Sequence, residues 1–125
     1  MLNINTDTKQ INLTRGDAAT LEIKAKNADG TDYIFQVKDV VRFKVFKAKD
    51  CNCVELQKDV VIEKEMTSVK IELTKEETKI GDIINKPIKY WYEVELNPDT
   101  KPQTIIGYDL SGEKIFMLYP EGSEQ

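Results

Sequence analysis

The chain has no histidine and only two cysteines among its 125 residues. Without an imidazole, a serine or cysteine nucleophile lacks its usual base; the three serines, Ser68, Ser111 and Ser123, have none to draw on. The commonest nitrogen ligand for a metal is missing too. Cys51 and Cys53 stand one residue apart, too close for an unstrained mutual disulfide. They are expected to be reduced thiols beside a turn, with a soft-metal or redox pair as the alternative. No basic stripe exists either. The 18 Lys and Arg are interleaved with 22 Asp and Glu, for a net charge of -4, which argues against a groove that tracks nucleic-acid phosphates. No apolar run approaches the roughly 18 residues of a membrane helix. The start, MLNINTDTKQ, has neither the basic segment nor the apolar core of a secretory leader. A carboxylate pair is the remaining acid–base option, but no acidic residue is set apart from the others. The expectations are no enzyme, no cofactor, no nucleic-acid or membrane partner, and a cytosolic address.

What the chain does have is alternation. Ile11 and Leu13 alternate with polar neighbours, as do Leu21, Ile23 and Ala25, then Val41, Phe43 and Val45, then Val69, Ile71 and Leu73. The clearest run is Ile88, Tyr90, Tyr92, Val94 and Leu96. Strands send successive side chains to opposite faces, so each run describes one wet and one buried face. Less regular strands are expected near 33–37, 54–63, 103–108 and 114–119. Turn chemistry separates the runs at NADG (27–30), NPDTKP (97–102) and DLSGE (109–113). The spacing predicts an all-β antiparallel sandwich occupying 1–125 as one domain, with a polar tail from about 121.

One stretch breaks the period. In TKEETKIGDII (74–84), Thr74 is a candidate N-cap and Glu77 completes a capping box. Gly81 is placed to end the segment in a left-handed conformation, so a short helical turn is expected between two strands. The tetrapeptide TRGD (14–17) spells the Arg-Gly-Asp of adhesion ligands. It also lies between two strand patterns, where Gly16 supplies the backbone freedom for a turn. The turn is the preferred reading.

Two large apolar residues fall out of phase. Trp91 shares the polar face of its strand with Glu93 and Glu95, and Phe46 shares that of Arg42 and Lys44. They are interface candidates, or else sit near strand ends under a loop. Asp109, Ser111 and Glu113 alternate around Gly112 and form a weak calcium candidate, with a plain hairpin turn as the alternative. Tyr33, Tyr108 and Tyr119 would matter if they lined one concave pocket. A soluble binding module for a carbohydrate, a small molecule or a host protein is therefore the second functional expectation.

A strand ending at Leu73-Thr74, a capped turn, and a strand bearing Tyr90 and Tyr92 resemble the corner between strands E and F of immunoglobulin-like domains. There a tyrosine reaches back to the corner, a part open to Tyr90 or Tyr92. The segments LTRGD, VVRFKVFKAKDC, ELTKEETKIGDIINKPIKYWYEVELNPDTKPQTIIGYD and GEKIFMLYPEG together resemble small phage and prophage proteins of low-GC Gram-positive bacteria, similar to the N-terminal immunoglobulin-like domain of the phage baseplate upper protein. The resemblance spans nearly the whole chain. It implies an immunoglobulin-like sandwich serving as a structural part of a phage tail or baseplate. Its partners would be other tail proteins or further copies of itself, and its location the host cytoplasm during assembly and the virion afterwards. It implies no catalytic residues.

Overall fold

A computed structural model describes residues 2–4, 10–25, 27, 29–47, 54–81, 84–106 and 114–120. The described residues form nine strands: β1 (Leu2–Ile4), β2 (Ile11–Thr14), β3 (Ala19–Ile23), β4 (Val40–Phe46), β5 (Val54–Val61), β6 (Val69–Leu73), β7 (Ile88–Leu96), β8 (Gln103–Ile106) and β9 (Ile115–Tyr119). The large sheet runs β1-β2-β9-β7-β4-β5, with β8 also on β7, and β3 pairs β6 in a second sheet of two strands. The nine-residue β7 is the hub. β4 lies along one side of it, while β9 takes its first half and β8 its second on the other side.

Alternation builds the layers. On β7 the buried set is Tyr90, Tyr92, Val94 and Leu96, and on β4 it is Val41, Phe43 and Val45. Leu21, Ile23, Val69, Ile71 and Leu73 face them from the small sheet, and all belong to one buried cluster. Phe43 stacks obliquely on Tyr92 and Phe116, with ring centres 5.7 and 6.3 Å away. Truncating such a buried Phe to Ala costs about 3–5 kcal/mol. The fold is an all-β sandwich. Strands β9, β7, β4 and β5 lie side by side in the large sheet, and β3 with β6 form the small one. One pair is not antiparallel: β2 runs parallel to β9. Among the described residues no helix is long and apolar enough to cross a membrane.

One local expectation changes and one holds. The segment 33–37 is a loop rather than a strand, tied down by a single bridge between Phe35 and Met66. The Gln36–Asp39 turn, with Lys38 at φ 78°, ends any ladder there. The segment from Thr74 to Gly81 closes as the expected single helical turn: Thr78 N–H donates to Thr74 O at 3.2 Å.

Candidate functional site

The outward phase of Trp91 and Phe46 has a consequence that spacing alone does not reveal. In the register of β4 and β7 they are direct partners. Val54 of β5 lies opposite Phe46 on its other side, and Ile115 of β9 lies opposite Trp91. Four strands thus contribute one apolar residue each to a single row across the outer face. Val54 is 40% exposed and the other three are half-buried. A β-bulge between Val45 and Phe46 brings Val54 into line; a bulge inserts one residue and re-aims the strand end.

Charge surrounds the row without entering it. The Lys44 ammonium sits 5.5 Å from the Phe46 ring centre and that of Lys89 5.4 Å from Trp91, both in cation–π range. Lys44 also contacts Glu95 at 2.9 Å and Glu93 at 3.3 Å. Burial pulls this ammonium down, and the two carboxylates more than offset it, so its pKa is raised. Beyond it, Arg42 forks onto Asp59 with two contacts of 2.9 Å and reaches Asp99 at 3.1 Å. Hydrogen bonding from Arg42 holds the Asp59 carboxyl below its ordinary value. The polar surround is thus internally neutralised. The Trp91 indole N–H is buried and has no acceptor among the described residues, unusual for a group that generally finds a partner. Val54 and Ile115 were not anticipated. The signal for Ile115 was β9 itself, where Ile115, Met117 and Tyr119 alternate with Phe116 and Leu118 and make both faces apolar.

TRGD is a turn, and its arginine is not on offer. Asp17 N–H donates to Thr14 O at 3.1 Å and Gly16 has φ 88°, the signature of a type II turn. It does not close a hairpin; it carries the chain from the large sheet to the small one. The Arg15 guanidinium donates to Ile80 O at 3.4 Å and Gly81 O at 2.8 Å, and the residue is 7% exposed. The fully buried Thr78 hydroxyl accepts from Gly16 N–H at 3.0 Å and donates to Asp17 O at 2.9 Å. The tripeptide is locked onto the corner after β6.

At that corner the capping box is formed. The Thr74 hydroxyl accepts from Glu77 N–H at 3.2 Å, and the Glu77 carboxylate accepts from Thr74 N–H at 2.8 Å. Lys58 of β5 grips the same carboxylate at 2.9 and 3.0 Å. The Thr74 amide and the Lys58 ammonium hold Glu77 below the usual carboxylate value. Gly81 closes the corner at φ 68°, and a Cβ there would stand 3.3 Å from the Tyr90 hydroxyl. Of the two tyrosine candidates, Tyr90 therefore meets the corner. Tyr92 lies in the core against Phe43, where burial pushes its hydroxyl up.

No aromatic pocket assembles among the described residues. Tyr33 borders a polar cleft of ≈ 320 Å³ with Asn27, Leu96 and Thr104. Its hydroxyl is committed to Asp39 at 2.7 Å, and burial with that carboxylate pushes it up to about 12. Tyr119 lies elsewhere, on β9 beside Asn12. Tyr108, Cys51, Cys53 and the calcium candidates Asp109, Ser111 and Glu113 lie outside the described residues. Comparison with known protein families, curated proteins and solved structures finds no match.

Proposed function

We propose that this chain is a non-enzymatic structural module of a phage or prophage particle, docking onto another tail or baseplate protein through the Val54-Phe46-Trp91-Ile115 row. The alignment of these four residues across adjacent strands carries the reading. Interfaces centre on aromatic anchors inside a polar rim, and the row has both anchors and rim. The buried, unpaired Trp91 N–H adds support. An orphaned donor costs about 1–3 kcal/mol, so a fold selected for stability alone would favour Phe at this position.

The test is mass spectrometry of particles purified from an induced host, with the wild-type chain or Trp91→Ala expressed. Wild-type chain in the particles and loss of most of the variant is the expected result. A chain absent from the particles would overturn the virion assignment. Equal incorporation of the variant would overturn the anchor. Trp91→Phe should unfold in urea at the wild-type midpoint or above it, because it removes the orphaned donor.

A further inference from the structure

Among the described residues the large sheet ends at β1 and β5, and each strand of the small sheet, β3 and β6, has an open side. Two of these edges, β5 and β6, differ in character. β5 carries a charge on its inward face: Lys58 lies opposite the fully buried Phe43, in phase with Leu56 and Val60. An inward charge on an edge strand guards it against pairing. β6 has no such guard. Its inward residues are Val69, Ile71 and Leu73, and its charges, Lys70 and Glu72, are exposed on the outer face. Beside this edge runs a groove of ≈ 590 Å³, bounded by Val60, Ile62 and Met66 on one side and Val69 and Lys70 on the other. Val60 of β5, which lines it, stays half-buried.

We propose that the β6 edge accepts one extended strand of a partner protein by strand addition, making the small sheet three-stranded. The backbone ladder supplies affinity and the alternate side chains supply specificity. The chemistry of the occupant follows from the strand it meets. Its inward positions are apolar and fill the groove against Ile62, Met66 and Val69. On the outer face it carries an acidic residue opposite Lys70 and a basic one opposite Glu72. Lys70 already lies opposite Glu22 of β3, so an acidic neighbour continues the same alternation of sign. This edge is on a different surface from the aromatic row and stands or falls separately from it.

The sequence SVKIELT, copied from residues 68–74, is a ready probe. Laid antiparallel to β6 about Ile71, it sets Glu against Lys70 and Lys against Glu72. Fluorescence anisotropy of this peptide, labelled, should show saturable binding to the wild-type chain. The charge-exchanged peptide SVEIKLT should bind at least about tenfold more weakly, because like charges then oppose each other at two positions. With the double variant Lys70→Glu/Glu72→Lys the preference should invert. Amide exchange on the wild-type chain, which needs no variant to fold, should show Val69–Leu73 slowed by SVKIELT alone. Absence of binding, equal binding of both peptides, or self-association of the wild-type chain that Lys70→Glu abolishes would each overturn the proposal.

Discussion

At the scale of single residues, the corner after β6 concentrates the constraints. Gly81 holds φ 68° against the Tyr90 hydroxyl, and its carbonyl accepts from Arg15. Gly81→Ala meets two penalties. One is the left-handed backbone, about 1–2 kcal/mol for a residue with a Cβ. The other is the 3.3 Å approach to the tyrosine oxygen. Removing that oxygen separates them. In urea unfolding, Gly81→Ala should cost measurably less in a Tyr90→Phe background than in the wild type, by an interaction energy of about 0.5 kcal/mol or more. Identical costs in both backgrounds would mean that Tyr90 gives way freely and does not brace the corner. Here sequence and structure agree on the turn but not on its meaning. Gly16 announces the TRGD reversal, yet nothing local shows that Arg15 crosses to carbonyls 65 and 66 residues away.

At the scale of elements, the capping box joins strand to turn and the Lys58 contact joins β5 to both. The Glu77 carboxyl is held below its ordinary value in the folded chain. Its contribution is therefore complete above the ordinary carboxylate range and is lost as pH falls through it. Glu77→Gln keeps an acceptor for Thr74 N–H but loses the charge. It should destabilise by about 0.5–1 kcal/mol near pH 7, with the difference from wild type fading towards about pH 3. Urea titrations at the two pH values check this; a gap that persists in acid would place the effect in packing. The five strands with strict alternation were legible because one face is buried along each. β1 was not, since three residues are too few to show a period. The expected strand at 33–37 failed for a stated reason: Ile34 and Val37 are both exposed, at 48% and 54%, and the turn around Lys38 removes their partners. Pairing was beyond reach as well. Alternation gives a face, not a neighbour, so neither the parallel β2–β9 pair nor the Phe46–Trp91 register could be read in advance.

At the scale of the molecule, the candidate site was half legible. The wrong phase of Trp91 and Phe46 identified two members of the row, while the bulge in β5 that aligns Val54 left no trace in composition. The same strand carries a physical guard against self-pairing at the open edge of the large sheet. Two copies of β5 can pair antiparallel along nearly the whole strand in two registers. One sets Glu55 against Asp59 of the other copy, and the second sets Lys58 against Lys58. Like charges directly opposed are destabilising. In the second register the remaining inward pairs are Leu56 with Val60, so Lys58 alone stands in the way. Lys58→Val should turn a monomer into a dimer whose population rises with concentration, measured by light scattering after size exclusion. Loss of the Glu77 contact should lower monomer stability by no more than about 1 kcal/mol. Adding Asp59→Lys sets a new lysine against Gln57 of the other copy, with no like pair opposed, so dimerisation should persist. Lys58→Glu, which restores a like-charged pair at the centre, should return the chain to monomer. A Lys58→Val chain that stays monomeric across the concentration range would show that the lysine is held there for Glu77 and not for the edge.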